Sequence, residues 1–594
     1  MPSTSPSPSQ APAPSGTSPA MPSGTSPPAL PPSSQASTGS ISSNASWLVW
    51  RRVLWVGFED NIPIPCWTYH YRVDSLLKKI KPYLADLLNR HWGITAPLDV
   101  TFLNQGSFNR AFLVRICSDD SLHTAPKSTL PPLPNQVVLR LALPILPEIK
   151  ILSEVATMRY VKHRTSIPVP QVYMYNASAA NDLEFEWILM EYMPGQRFGD
   201  VEPSLSDDAR KLFARKIADW VDSLSHLQFD EIGSLYMPCT TTDPPSASSS
   251  TTTPDGTDDG TVVISTDAIP DPVIGQLSNL NYTGDWRLEY DFNRGPFRNL
   301  QDFILSGAKA NFIEVRDPRQ QVRAEFNQAY IKREEASKEG EAGKALAEKE
   351  GKRVEELRNR RIPIYWSGGP DSDNWESRPR DQITSICQYD DDVPTCPVVM
   401  EFGQSFFRYA AQDLEQHREV SKRLMDLVYS IIPNTPLGPR STVLNHWDIN
   451  GGNVLVDGTG QPTALLDWEF IFTMPFTLAQ FYPKVLDVSM RDQSDSERDP
   501  SDPEREAMWK TEKMEEEFHE RMKELKSPWL VVNNGREYPT MGRKSPYSTD
   551  LIVNLLYVTT GNRVVRRQDH KMVRMLEKKV KAAKSASQKP ASAI

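Results

Sequence analysis

The segment 444–470 constrains the fold of this chain most, because it combines a predicted β-hairpin with polar residues at both ends. Two short apolar stretches, VLV and TALL, are separated by an Asp-Gly-Thr-Gly sequence that is typical of a tight turn. A hairpin returns the chain to the place where it started. We therefore expect Asp467, which follows the second strand, to lie close to Asp448 and Asn453, which precede the first.

Three converging oxygen-bearing side chains have the composition that phosphoryl transfer requires. Mg²⁺ prefers carboxylate and carboxamide oxygens, and a separate carboxylate must orient the attacking hydroxyl and accept its proton. Asn453 and Asp467 are therefore candidate Mg²⁺ ligands, and Asp448 is the candidate catalytic base. His446, also in the catalytic set, is expected to hold the loop by hydrogen bonding. The alternative is that these are ordinary loop and cap residues of a helical domain.

Composition divides the chain into segments of different character. Proline is abundant, 50 of 594 residues, which indicates Pro-rich linkers beside any packed core. We predict a disordered Ser/Pro-rich tail (1–45), an aromatic and helical extension (46–94), a sheet-containing lobe (95–193), a helical lobe with insertions (194–490), an acidic insertion (491–526) and a helical C-terminal region with a basic tail (527–594). Within the helical lobe, 240–261 is predicted to be a flexible loop and 321–361 a long charged helix that its glycines weaken.

Hydrophobic periodicity predicts the order of elements in the sheet-containing lobe. After a helix at 73–91, we expect strands at 98–103, 111–116 and 136–143, a helix at 148–164, and strands at 171–175 and 186–191. The order is therefore strand, strand, strand, helix, strand, strand, and mainly helical sequence follows it.

The sequences HWDINGGN (446–453) and LLDWEF (465–470) resemble the catalytic loop and metal-binding segment of the aminoglycoside phosphotransferase and choline kinase-like families. The resemblance is strongest to fungal proteins that carry an aminoglycoside phosphotransferase domain. It implies an α+β, protein-kinase-like fold with two lobes, a small antiparallel sheet and then a helical lobe with insertions. It also implies ATP-dependent transfer of the γ-phosphate to a hydroxyl group.

The same resemblance implies a nucleotide site in the first lobe. Its phosphate-binding loop corresponds to Gln105, Gly106, Ser107 and Asn109. Arg140 stands where these kinases keep a phosphate-binding lysine, and Glu154 stands where the ion-pair partner of that lysine belongs. The alternative is an ordinary surface ion pair. Backbone groups of Glu191 and Met193 are expected to bind adenine, although a buried strand and turn could have the same sequence.

The acidic balance of the chain argues against a main role in binding nucleic acid. The 66 Lys and Arg residues face 76 Asp and Glu residues, a net charge of −10, whereas nucleic acids and anionic membranes are bound by concentrated positive charge. The basic stretch 563–584 keeps a nuclear or nucleic-acid role open, but a solvated helix face is the simpler interpretation. No nucleic-acid partner is therefore expected.

Cysteine usage and the absence of targeting signals favour an intracellular location. The five cysteines are scattered and form no C-x-x-C pair, which favours a reducing compartment. Residues 1–50 contain no charged side chain, unlike the start of a secretory signal or a mitochondrial presequence. No apolar run approaches the ~20 residues that a membrane span needs. We expect a soluble, cytoplasmic protein, and a nuclear location stays open.

Two other functions stay open from the sequence. A kinase-like module that binds nucleotide or a protein without transferring phosphate is favoured by the insertions and opposed by the intact set of Asp448, Asn453 and Asp467. Protein phosphorylation is disfavoured because nothing matches the D-F-G or A-P-E signatures. The cofactors expected are ATP and Mg²⁺, and the partner is an unidentified small molecule with a hydroxyl group. The sequence indicates neither the acceptor nor the oligomeric state.

Overall fold

A computed structural model describes most of the two predicted lobes and little of the chain termini. The described residues are 72–125, 130–238, 260–265, 269–279, 290–358, 411–432, 434–479, 482–486, 503–531, 573–575 and 577–578, residues 282, 287 and 288, and the backbone of 54–59, 62–66, 365–366 and 375–376. The predicted tail, nearly all of the Ser/Thr-rich loop, the first part of the acidic insertion and most of the predicted C-terminal region lie outside them.

A six-stranded antiparallel sheet forms the first lobe. Its strands are β1 (Leu98–Gln105), β2 (Asn109–Ile116), β3 (Gln136–Ala142), β4 (Val172–Asn176), β5 (Glu186–Glu191) and β6 (Thr261–Val263). Their order across the sheet is β6-β4-β5-β3-β2-β1, and every neighbouring pair is antiparallel. The first five strands are those that the sequence predicted.

The sixth strand comes from a part of the chain that the sequence placed in the second lobe. β6 begins at Thr261, the last residue of the predicted flexible loop, and Val262 pairs with Tyr175 of β4. Three residues are too few for an alternating pattern to be recognised, which is why this strand was not predicted.

Two helices pack on this sheet. They are α1 (Val73–Trp92) and α2 (Ile149–Arg164). The apolar face of α1 joins the sheet in one hydrophobic core, in which Tyr83 meets Trp187 edge to face with ring centroids 5.9 Å apart. The helix ends at Gly93, whose φ of 68° is the left-handed conformation that glycine adopts at helix ends.

The second lobe is mainly helical. Its longer helices are α3 (Asp207–Ser225), α4 (Leu300–Glu314), α5 (Pro318–Lys338), α6 (Lys344–Arg358), α7 (Ala411–Ile431) and α8 (Pro503–Leu525). Apolar residues of α2, α3 and α8 form one continuous core, so the first lobe is packed against the second rather than only tethered to it. A second core joins α4 and α7.

Four strands of the second lobe form the structure around the segment 444–470. They are β7 (Thr442–Asn445), β8 (Val454–Val456), β9 (Pro462–Leu465) and β10 (Phe472–Pro475). β7 pairs with β10, and β8 pairs with β9. The other described strands are Leu54–Glu59, Ile62–Cys66, Leu122–His123, Leu133–Pro134, Gln196–Arg197, Gln228–Phe229, Ser234–Tyr236, Val273–Gly275, Tyr365–Trp366 and Trp375–Glu376. Short helical segments lie at Phe198–Val201, Glu202–Ser204, Phe476–Leu478 and Pro528–Val531.

The charged insertion is two helices rather than the single long helix that the sequence predicted. The break lies at Gly340, where φ is 64°, and at Gly343, where a Cβ would lie 1.9 Å from the carbonyl oxygen of Ala336. α5 and α6 then pack against each other, and Arg353 of α6 contacts Glu325 of α5 at 3.0 Å. Glycine therefore reverses the chain here, which is a stronger effect than the weakening expected from its low helix propensity.

The α+β fold class is confirmed: an antiparallel-sheet lobe is followed by a helical lobe with insertions. The helix α2 lies between the third and fourth strands, as the strand and helix order predicted. Among the described helices, none combines the length and apolar character that crossing a bilayer requires.

Candidate active site

The hairpin of β8 and β9 brings the two ends of the segment 444–470 together. Val454 pairs with Leu465, and one step further the amide of Leu466 donates to the carbonyl oxygen of Asn453 at 2.8 Å. This bond places Asn453 at the start of the hairpin beside Asp467 at its end, as the sequence predicted. The turn between the strands is held by Asp457, which accepts a hydrogen bond from the amide of Thr459 at 2.8 Å.

Both carboxylate oxygens of Asp448 are engaged by neighbouring side chains. Asn453 Nδ2 donates to Asp448 Oδ2 at 3.0 Å, and Lys484 Nζ lies 2.8 Å from Oδ1. Burial alone would raise the pKa of Asp448, but the ammonium of Lys484, together with a hydrogen bond to Asn450, holds that pKa below its ordinary value. Asp448 is therefore ionised at neutral pH, as a base must be.

His446 acts as a support for this loop. Its ring is buried, its Nδ1 accepts from the amide of Asp448 at 3.3 Å, and its Nε2 lies 3.2 Å from the carbonyl oxygen of Leu466. Burial outweighs the attraction of Asp448 and lowers the pKa of His446 to about 4. A neutral ring with Nε2 protonated satisfies both contacts. The ring thus links the catalytic loop to the strand that leads to Asp467.

Asp467 has a buried carboxylate whose surroundings disfavour its negative charge. Its φ is 62°, and within the described part of the chain its buried Oδ1 has no hydrogen-bond partner. Burial, together with the nearby carboxylates of Glu469 and Glu154, raises its pKa well above the ordinary value despite the attraction of Arg140. A cation at Oδ1 would relieve both the desolvation and the repulsion.

The donor set around Asp467 fits Mg²⁺ bound together with phosphates. Among the described residues, no three His, Cys, Asp or Glu side chains are grouped closely enough to hold a metal. Mg²⁺ in nucleotide sites needs only one or two protein oxygens, because phosphates and water supply the rest. Asn453 uses its amide nitrogen for Asp448, and a metal would take its amide oxygen. Asn453 and Asp467 therefore fit a Mg²⁺ site that phosphates and water complete.

Arg140 and Glu154 form the ion pair that their positions predicted. Arg140 lies on β3, Glu154 lies on α2, and their side chains form a hydrogen-bonded, buried pair. Although burial works against the charge of Arg140, the carboxylates of Glu154, Glu469 and Asp467 raise its pKa above the ordinary value. The burial of the pair contradicts the alternative of a surface ion pair. This strand-to-helix arrangement is the one kinases use to hold a phosphate-binding cation.

The predicted phosphate-binding loop is closed by its own hydrogen bonds. The amide of Gly106 donates to the carbonyl oxygen of Asn109 at 2.9 Å, and Gln105 Oε1 accepts from Arg110 Nε at 2.7 Å. Ser107 is exposed. The amide of Gly106 is thus used within the loop, so binding a phosphate through this amide would require the loop to rearrange.

A buried lysine that the sequence did not single out connects this loop to the segment 465–470. Lys150, on α2, lies 2.7 Å from Glu469 Oε2 and donates to Asn109 Oδ1 at 2.8 Å. Asn109 Nδ2 in turn donates to the same Glu469 oxygen at 2.9 Å. Phe108 and Phe470 pack edge to face next to them, with ring centroids 5.6 Å apart. Only the predicted proximity of the loop 105–109 to the segment 465–470 could have suggested that Lys150 binds both.

The predicted adenine-binding segment lies between the lobes. The amide of Glu191 donates to the carbonyl oxygen of Gln171 at 2.8 Å, and its side chain accepts from the amide of Gln171 at 2.9 Å. The amide of Glu191, which was expected to bind adenine, is therefore not available to a ligand. Met193 is half-buried, and two residues later Gly195 packs on β8, where a Cβ would lie 2.9 Å from the carbonyl oxygen of Val456.

Comparisons with known sequences find distant relatives that match over short segments. No protein-family model matches the chain. A subtelomeric hrmA-associated cluster protein of Aspergillus fumigatus is 26% identical over 202 residues, which cover 34% of this chain and 33% of that protein. An altered inheritance of mitochondria protein 9 of Meyerozyma guilliermondii is 30% identical over 143 residues, 23% of this chain and 21% of that protein. The chain thus spans a third or less of these two curated relatives.

Comparisons with solved structures find phosphotransferases. An aminoglycoside phosphotransferase in complex with ADP and hygromycin B is 12% identical, with 86% of this chain and 100% of that chain covered and a TM-score of 0.30. An ethanolamine kinase of Plasmodium vivax is 12% identical, with 82% and 88% covered and a TM-score of 0.28. The fold class rests on the sheet order and helices described above.

Proposed function

We propose that this protein is an ATP-dependent phosphotransferase that moves the γ-phosphate to a hydroxyl group of a small molecule. The observation that carries the proposal is the arrangement of Asp448, Asn453 and Asp467 at the two ends of one hairpin, with an ionised base and a buried carboxylate oxygen that has no hydrogen-bond partner among the described residues. Base, amide and second carboxylate are the three groups that phosphoryl transfer to a hydroxyl needs.

In the proposed reaction, Asp448 orients the acceptor hydroxyl and takes its proton as the new O–P bond forms. The bond between the γ-phosphorus and the oxygen that it shares with the β-phosphate breaks, and ADP leaves. Arg140, held by Glu154, contributes positive charge on the phosphate side. Bound Mg²⁺, on Asn453 and Asp467, would neutralise phosphate charge. His446 keeps the loop in place without exchanging a proton.

Calorimetric titration with ATP, with and without Mg²⁺, tests the nucleotide site. We expect Mg²⁺-dependent binding to wild type and at least about tenfold weaker binding to Asp467→Ala, because the variant lacks a metal ligand. Equal affinities for Mg·ATP in the two proteins would contradict the metal assignment.

Transfer of labelled γ-phosphate to a panel of hydroxyl-bearing metabolites tests the chemistry. Asp448→Asn keeps the size of the side chain but cannot accept the proton. We expect it to bind Mg·ATP like wild type and to lose about 10²–10⁴-fold in transfer rate. Undiminished transfer by this variant would remove Asp448 from the proposed role.

One observation favours a second candidate, a kinase-like module that binds nucleotide and transfers nothing. Lys484 and Asn453 together engage both oxygens of Asp448, so a hydroxyl group would have to share an oxygen with one of them or displace it. Mg²⁺-dependent ATP binding with no transfer to any acceptor or to water would support this candidate. The cytoplasmic location likewise stays a proposal.

A further inference from the structure

Lys484 approaches the catalytic loop from a separate, anchored segment. It begins a short helical turn, Lys484–Leu486, and the amide of Val485 donates to the carbonyl oxygen of Ile449 at 2.9 Å. The backbone is therefore fixed beside the loop while the four-carbon side chain reaches Asp448 Oδ1. The contact is half-exposed: the Lys484 side chain is 49% exposed and that of Asp448 is 39% exposed.

The other cations near the site are held more firmly. Arg140 is buried against Glu154, and Lys150 is fully buried against Glu469. A buried ion pair is costly to separate, because each charge would be left without water or partner, whereas a half-exposed pair exchanges its partner for water at little cost. Among these three described cations, Lys484 is the one that can change partners.

The proposed reaction would bring a second anion close to Lys484. An acceptor hydroxyl must come within about 2.6–3.2 Å of Asp448, and its oxygen must lie about 3–3.5 Å from the phosphorus that it attacks. The γ-phosphate would therefore lie within reach of the Lys484 ammonium, which already contacts the same carboxylate. The negative charge of the γ-phosphate exceeds that of Asp448, so the phosphate competes with Asp448 for the Lys484 ammonium.

We propose that Lys484 recognises the γ-phosphate of ATP, and that its transfer from Asp448 Oδ1 to this phosphate frees the base for the acceptor hydroxyl. ADP has no γ-phosphate and would leave Lys484 on Asp448. Lys484 would then distinguish ATP from ADP, and it would stay bound to Asp448 Oδ1 until ATP is bound. The inference rests on the proposed function, since it assumes a nucleotide beside Asp448.

Calorimetry with Mg·ATP and Mg·ADP on wild type, Lys484→Met and Lys484→Arg tests the inference. We expect Lys484→Met to lose about tenfold in ATP affinity while its ADP affinity stays unchanged, and Lys484→Arg to stay close to wild type. Lys79→Met is the matched control, because Lys79 is 48% exposed and pairs with Glu184 on the first lobe. It should alter neither affinity.

The outcomes separate this inference from the function on which it rests. If folded wild type binds neither nucleotide, the proposed function fails and the inference fails with it. If wild type binds both nucleotides and Lys484→Met keeps the wild-type ratio of ATP to ADP affinity, the inference alone is overturned. Should Lys484→Met not fold, Lys484→Gln provides the same neutral test.

Discussion

The nucleotide-loop side and the catalytic-loop side of the site each contain a lysine bound to a carboxylate, and the two pairs differ in their access to water. Lys150 lies 2.7 Å from Glu469, with side chains 0% and 7% exposed. Lys484 lies 2.8 Å from Asp448, with side chains 49% and 39% exposed. The two distances are similar, but the energetics of the two pairs differ. The first pair fixes three segments in place, and the second can open.

The largest expected effect is on the buried side. Lys150→Met should lower the free energy of unfolding by about 3–5 kcal/mol, because Glu469 is left buried without its counter-charge. Denaturant unfolding followed by tryptophan fluorescence measures this loss. The double variant Lys150→Met, Glu469→Leu removes both charges and should recover much of it. A loss below about 1 kcal/mol would show that the two sides of the site do not differ.

Acid should weaken the catalytic-loop side through His446. Its pKa is lowered from 6.5 unfolded to about 4 folded, so its contribution is complete above pH 6.5 and is lost as the pH falls to about 4. We expect a loss of about 3 kcal/mol over this interval, measured as the unfolding free energy against pH. His446→Gln, which cannot titrate, should remove this component of the slope. An identical pH dependence in both proteins would refute the buried neutral ring.

The smallest effect is expected at the exposed pair. Lys484→Met should change the free energy of unfolding by less than about 1 kcal/mol, because water replaces the lost ion pair. The difference from wild type should shrink further as salt is added. Denaturation of both proteins at low and high ionic strength measures it. A loss as large as that of Lys150→Met would mean that Lys484 is structural and cannot be the exchangeable cation.

Sequence reasoning worked where a contact follows from local pattern and element order. The hairpin that joins Asn453 to Asp467 follows from a turn between two short apolar stretches. The Arg140–Glu154 pair follows from the resemblance, which assigns the two residues to a strand and to the helix after it. These contacts span few residues or belong to one supersecondary unit, so the local sequence limits where the side chains can be.

The contacts that sequence reasoning missed depend on packing between distant parts of the chain. Asn109 and Glu469 are 360 positions apart, and only the closed arrangement of the lobes lets Lys150 bind both. Lys484 lies in a short turn without a periodic pattern, so nothing in its neighbourhood marks it as a partner of Asp448. Nor does composition reveal that the charged insertion folds back on itself at Gly340 and Gly343.

The pairing of Thr261–Val263 with β4 limits how the lobes can turn. The chain leaves the sheet through Met193, returns to it as β6, and then pairs Val273–Gly275 with Ser234–Tyr236 in the second lobe. The chain therefore crosses between the lobes again after Met193, in addition to the hydrophobic core and the Lys150–Glu469 contact that join them. A rotation of one lobe against the other would have to open that core as well as strain these chain crossings.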